Sequence, residues 1–395
     1  MVSQYQTQPV DTAPIIQARQ TAAVSPLKAF AMITWTQLRK SKVVTWSLRS
    51  KAFILACIVL LILFQFASKI AHIPYEIRRH LVLASVGSHP YNATSVHSEP
   101  ILLPNATSKY AFATFLTGGD DHYFVATRIL TYQLLHAQDT RSADQEIPFI
   151  VLVTDSVVEE DRARLRKDGA IVVEQDVIRE AWVLPGVERW STVLTKLRFW
   201  QFTQFERICF LDGDTVLVHP LDGIFDDEAV LSQESGHNEK YILADEAALP
   251  AKYSFASTPA LAAKHHYPPT EAGHDFRMDY LNAGIFVLQP DVQMFNYYLS
   301  VLNTPNKFHP EYPEQNLLNY AHRKEGNMPW TQLNYTWNIH HPTKVDLDGG
   351  VKSLHEKFWS PAHGDMQPYL NSWRWKMEGY FQAMDEELAR QARDV

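Results

Sequence analysis

Two cysteines in 395 residues leave no disulfide framework to read. Cys57 stands in an apolar run and Cys209 in a run that reads as a buried strand, so the two do not pair. Neither has a neighbour at metal-ligand spacing. A basic excess is missing too: the net charge is -8 with His neutral. A dedicated nucleic-acid binder needs a cationic face to neutralise phosphates, so no nucleic-acid partner is expected. A single nucleotide is still allowed, because a metal ion can supply positive charge. Internal repeats and low-complexity tracts are absent as well. Hydrophobic residues, at 46%, are plentiful, and charged ones make up 20%, so most of the chain can bury a packed core.

Long apolar runs are scarce. One runs from Ala52 to Phe64 and softens through Gln65 to Ser68, at the short end of what spans a bilayer. Arg39, Lys40, Lys42, Arg49 and Lys51 precede it, and no acid occurs between Asp11 and Glu76. The run starts too deep for a cleaved signal peptide. The expectation is a cytosolic tail at 1–51, a transmembrane signal anchor at 52–68, a luminal stem at 69–108 and a catalytic domain at 109–395. Positive flanking charge then orients the chain as a single-pass type II protein, and the short span suits a thinner internal membrane better than a thick plasma membrane. Sequons at Asn92 and Asn105 agree with a luminal stem, and a third lies at Asn334.

From Lys109 the pattern alternates strands and helices. Strands are expected at 110–116, 149–153, 170–173, 207–211 and 281–288, with helices over 123–137, 157–168 and 193–204. Continuous apolar strands between helices imply a mostly parallel sheet covered on both faces. The strand at 207–211 runs into Asp212-Gly213-Asp214. Ligands gather at the carboxyl ends of strands in open α/β sheets. Carboxylates at i and i+2 of extended chain share a side, and Gly213 lets the backbone turn between them. Hard divalent cations prefer such oxygens, and a cation there can neutralise a departing diphosphate. The plainer reading of the triplet is a turn.

Three stretches are then telling together: Thr195 to Phe225 with the acidic triplet inside it, Leu281-Asn282-Ala283-Gly284 through Pro290, and Pro313-Glu314-Gln315 through Asn319. In this order they resemble the glycogenin-like branch of glycosyltransferase family 8, over roughly 110–360. Within it they look most like fungal Golgi N-acetylglucosaminyltransferase-like proteins. The resemblance implies a GT-A fold, UDP-sugar donors, manganese and retention of anomeric configuration. It implies transfer of a hexose or N-acetylhexosamine, with N-acetylglucosamine first, to a glycan or glycoprotein acceptor. A homodimer is left open. The alternatives are a cytosolic glycogenin-like initiator that glucosylates itself, and a noncatalytic sugar-nucleotide scaffold.

Carried over residue by residue, Asp212, Asp214 and His355 would hold the metal, with His340 and His341 as alternatives for the third ligand. Phe115, Thr117 and Tyr123 would meet the nucleoside. Lys196 would lie near the donor sugar, with Glu314 and Gln315 near the anomeric carbon. Asn282 and Gly284 would face sugar hydroxyls, and Asp275 and Asp279 are weaker candidates for that role. Lys357 follows His355 by only two residues, a departure from the family's usual His-x-x-Gly-x-x-Lys spacing. Trp373, Arg374 and Trp375 suggest either an aromatic platform for a glycan or the packing of a C-terminal helix.

Overall fold

A computed structural model of the chain describes residues 96–104 and 106–393. Its first half alternates β1 (Tyr110–Leu116), α1 (Asp121–Leu135), β2 (Phe149–Val153), α2 (Glu159–Lys167) and β3 (Ile171–Glu174). A 3-10 helix at Val193–Gln201 leads into β4 (Arg207–Leu211) and β5 (Thr215–Leu217). Short β6 (Gln233–Glu234) and β7 (Lys252–Tyr253) precede the long strands β8 (Phe255–Leu261) and β9 (Phe276–Leu288). Then come α3 (Val292–Leu302), α4 (Pro313–Ala321), β10 (Thr331–Gln332), β11 (Ile339–His340), α5 (Lys344–Asp348), β12 (Ser353–His355) and α6 (Gln367–Gln391).

Seven strands form the main sheet in the order β10-β8-β9-β4-β1-β2-β3. The β1, β2, β3 and β4 pairings are parallel, as is β8 with β10; β9 runs antiparallel to both its neighbours. Side-chain alternation explains the two covered faces. Ala111, Ala113, Ile150, Leu152, Ile208 and Phe210 point into one core with the 193–201 helix, α3 and α4. Phe112, Val151, Val153, Cys209 and Leu211 point into the other, against Leu130 and Leu134 of α1. Phe210 faces Phe286 across the β4–β9 pair, with ring centroids 4.7 Å apart and stacked. Such a cross-strand aromatic pair contributes about 0.5–1.5 kcal/mol beyond its area.

The expected strands at 110–116, 149–153 and 207–211 form over those residues. The expected helix over 193–204 differs: only Val193–Gln201 is helical, as a 3-10 helix, and all nine of those residues are buried. An amphipathic stripe is therefore not what shapes it. Residues 96–104 and Ala106 belong to this packing, since Val96, Ile101, Leu103 and Ala106 lie against the first core and Gln201 donates to the carbonyls of His97 and Glu99. Trp373 is buried in a third cluster with Met377 and Phe381, while Trp375 stays 62% exposed.

Among the described residues, no helix is long and apolar enough to cross a membrane. This corrects the expectation of a spanning helix as part of the fold. The type II topology, the membrane as a partner and the Golgi location rested on that helix and are withdrawn with it. The run at 52–68 lies outside the described residues, as do Cys57, Asn92 and Asn105.

His322 sits fully buried at the end of α4. Its Nδ1–H donates to the Met328 carbonyl at 2.8 Å, and its Nε2 accepts from the Tyr298 hydroxyl at 2.6 Å. The neutral ring thus satisfies both partners, and burial pulls its pKa down to about 3. The unfolded chain takes up this proton below the ordinary histidine pKa of 6.5, whereas the folded chain does not until near 3. Stability is therefore complete above that ordinary value and falls as pH drops toward 3. We expect this residue to contribute a slope approaching about 1.4 kcal/mol per pH unit between these limits. Denaturant titrations of wild type and His322→Gln should differ by that slope; identical pH dependence would refute it.

Candidate active site

The β4 strand delivers Asp212 to the carboxyl edge of the sheet, where its N–H donates to the Gly284 carbonyl of β9 at 2.7 Å. The chain turns through Gly213 into β5. That short strand pairs antiparallel with β12 in a register that sets His355 opposite Thr215. Glu356 N–H closes the corner by donating to the Asp214 carbonyl at 3.0 Å. The pairing, more than any proximity in sequence, brings the histidine to the acids. His355 Nε2 lies 3.4 Å from Asp214 Oδ1 and 3.7 Å from Asp212 Oδ2. One ligand atom from each of the three residues falls within 4.8 Å of the others. Two carboxylates and an imidazole suit a manganese-like divalent ion. The backbone also leaves room for the ring: a Cβ on Gly284 would stand 2.0 Å from His355 Cε1. The cluster can therefore coordinate a divalent metal.

Cations surround these acids. Lys196, nearly buried, donates to Asp212 Oδ1 at 2.7 Å and to Glu314 Oε1 at 2.8 Å. Burial opposes its charge, but the two carboxylates outweigh it and hold the ammonium above its ordinary range. Lys357 Nζ reaches Asp214 Oδ2 at 3.1 Å. The unusual spacing after His355 thus still brings a lysine to the acidic triplet. Burial acts to raise the Asp214 pKa, yet His355 and Lys357 keep it well below the usual carboxylate range. The His340 ring lies 4.8 Å from the His355 ring, tilted by 41°; burial, with His355 beside it, brings its pKa down to about 2. Neither His340 nor His341 joins the three-residue cluster, although both line the cavity.

The cavity holds about 900 Å³. Phe115, Thr117, Tyr123, Lys196, Asp212, Gly213, Asp214, Asn282, Glu314, Gln315, His355 and Lys357 all line it. Thr117 Oγ1 sits 3.2 Å from both Thr154 Oγ1 and Ser156 Oγ at the end of β1. Tyr123 packs edge-on to Trp359 and points its hydroxyl at Asp214 Oδ2, 3.4 Å away. Asn282 Oδ1 accepts from Gly284 N–H and from Asn338 Nδ2, both at 2.9 Å. Gln315 Oε1 accepts from Ala283 N–H at 2.9 Å. Gly284 lies behind His355 and off the lining. Asp275 also lies off it: its carboxylate accepts from the His266 and Thr270 N–H groups within its own loop. Asp279 pairs with Lys324.

Several lining residues escaped the sequence reading: Asp155 and Ser156 after β2, Arg189 and Trp190 before the 193–201 helix, and Arg277, Tyr280 and Tyr312. Arg189 and Trp190 lie in a short 3-10 helix, Arg277 and Tyr280 in the first part of β9, and the others in loops, where no clear periodicity marks them. Arg189-Trp190 beside an apolar helix was the one local signal available.

No family model matches the chain. Sequence relatives do. The chain is 30% identical over 276 residues to the uncharacterized protein C4C3.09 of Schizosaccharomyces pombe, covering 64% of this chain and 72% of that protein. It is 26% identical over 292 residues to galactinol synthase 1 of Solanum lycopersicum, covering 71% of this chain and 78% of that one. Among solved structures, the galactosyltransferase LgtC in complex with donor and acceptor sugar analogs is similar at 16% identity and a TM-score of 0.42, over 67% of this chain and 95% of that chain. None of these relatives singles out the fungal N-acetylglucosaminyltransferase branch. The chain belongs to the family of the Schizosaccharomyces pombe protein C4C3.09, and it is similar in sequence to galactinol synthases.

Proposed function

We propose that the chain transfers a hexose or N-acetylhexosamine from a UDP-sugar to a hydroxyl acceptor with retention of configuration. The observation that carries this reading is the convergence of Asp212, Asp214 and His355 at the carboxyl edge of β4, beside Lys357 and inside a cavity of about 900 Å³. Those three side chains would hold a divalent cation, manganese first. When bound, such a cation neutralises charge on a departing nucleoside diphosphate.

The chain's own residues supply the rest. Lys357 adds positive charge on the Asp214 side. Lys196 ties Asp212 to Glu314 and so fixes the distance between the metal site and the start of α4. Phe115, Thr117 and Tyr123 form the wall offered to the nucleoside. Asn282 and Gln315 present amides to sugar hydroxyls. The ammonium on Glu314 makes that carboxylate a poorer nucleophile, which favours attack on the face the phosphate leaves over a covalent sugar intermediate.

A glycogenin-like transferase that glucosylates itself is better supported than a Golgi N-acetylglucosaminyltransferase, because the sequence relationship runs to galactinol synthases. The complete set of acids, histidine and lysines argues against a noncatalytic scaffold. The test is release of UDP by the full chain with manganese and a panel of UDP-sugars, followed by mass analysis of the protein. We expect release from one donor, lost on chelation. Mass added to the protein itself would select the self-glucosylating form. UDP release from no donor, with or without manganese, would overturn the transferase reading.

A further inference from the structure

The lysines deep in the cavity are matched to acids. Lys196 meets Asp212 and Glu314, and Lys357 meets Asp214. Arg277 lines the same cavity but makes no ion pair among the described residues. Its two acidic neighbours in sequence are engaged elsewhere, Asp275 by His266 and Asp279 by Lys324. The guanidinium instead lies over the Tyr280 ring, 4.6 Å from its centroid. That ring is fixed: its hydroxyl donates to Asn316 Oδ1 at 2.5 Å and accepts from Gln315 Nε2 at 2.9 Å. Beside it, Tyr312 is 39% exposed and sits 5.1 Å from the Trp190 ring, and both rings line the cavity.

The contacts run in one order. Lys357 touches Asp214, Asp214 and Asp212 touch His355, and Asp212 touches Lys196, which touches Glu314. Gln315 follows Glu314, then Tyr280, then Arg277. On the functional reading above, on which this inference rests, the diphosphate belongs at the Lys357 end. The Arg277 end lies past the residues assigned to the reacting sugar. We propose that it is an acceptor subsite for a sugar or polyol bearing a phosphate or carboxylate. The rings of Trp190 and Tyr312 take the apolar face of the acceptor, and Arg277 takes its anion. A guanidinium is charged at every working pH, and its fork matches either anion. Stacking on a fixed ring holds it in place before the ligand arrives.

The experiment is calorimetry on the full chain with manganese and saturating UDP, using glucose and glucose 6-phosphate as matched probes. Wild type is expected to bind glucose 6-phosphate on the order of ten- to a hundredfold more tightly than glucose. Arg277→Ala should lose that preference while binding UDP as wild type does, and Arg277→Lys should restore part of it. Equal binding of the two probes, measurable or not, overturns the proposal. So does a preference seen without UDP that saturating UDP removes, since Arg277 would then serve the donor diphosphate. UDP binding is read in the same titrations. If UDP itself fails to bind, the transferase reading falls; if UDP binds and the probes do not differ, only the subsite falls.

Discussion

Gly284→Ala is expected to weaken manganese binding by about 10- to 100-fold and to remove most metal-dependent UDP release. The reason is steric. The new methyl carbon would lie 2.0 Å from His355 Cε1, 2.2 Å from His355 Nδ1 and 2.8 Å from Asn282 Oδ1. The ring can turn away only by leaving Asp212 and Asp214. The alternative is to part β9 from its neighbour, and Gly284 itself accepts the Asp212 N–H there. Overpacking of this kind typically costs about 1–3 kcal/mol. Manganese titration and the thermal midpoint separate the two responses: lost affinity with an unchanged midpoint means a displaced ring. Gly223→Ala is the control, since its Cβ would meet only the Trp337 ring, at an ordinary 3.7 Å. Wild-type manganese affinity in Gly284→Ala would remove His355 from the metal site.

Asp214→Asn should reduce turnover by about a thousandfold with the fold retained. The amide keeps the size and one oxygen but loses the charge that a cation needs. Lys357, 30% exposed, can turn its ammonium toward water once the partner is neutral, so the folding penalty should be small. Turnover with each UDP-sugar, together with a denaturation curve, checks both halves of the statement. Activity near wild type would mean that the acidic triplet is only a turn, the plainer reading its composition allows. The two variants probe different links, Gly284 through the packing that seats a ligand and Asp214 through the ligand's charge.

The strands of the first half were legible because they are short, continuous and apolar. Phe149–Val153 has every residue buried, and both faces of the sheet are covered. The 193–201 segment was legible as helical but not as 3-10, because burial on all sides erases the stripe that distinguishes helix types. The long β9 strand was read only over its final eight residues. Its pairing with β8 shifts register twice, between Ser257 and Thr258 and between Pro259 and Leu261, and such irregularity breaks the alternation that marks a strand. The membrane anchor was drawn from a composition signal at 52–68, outside the described residues, and no described helix has its length and apolarity.

By itself, the sequence determined the local matters: which segments are apolar enough to form a covered sheet, and which one ends in two carboxylates two residues apart. Both follow from the nearest neighbours along the chain. Only the tertiary structure decided which histidine joins those carboxylates. The β5–β12 register placed His355 there and left His340 and His341 on the wall. It also decided that Lys357 reaches Asp214 despite its spacing, that Asp275 is spent within its own loop, and that Arg277 lies on Tyr280 with no ion pair among the described residues. Each of these is a contact between residues distant in sequence or set by loop geometry. Strand pairing and side-chain packing fix such contacts, and neither leaves a pattern in the order of residues.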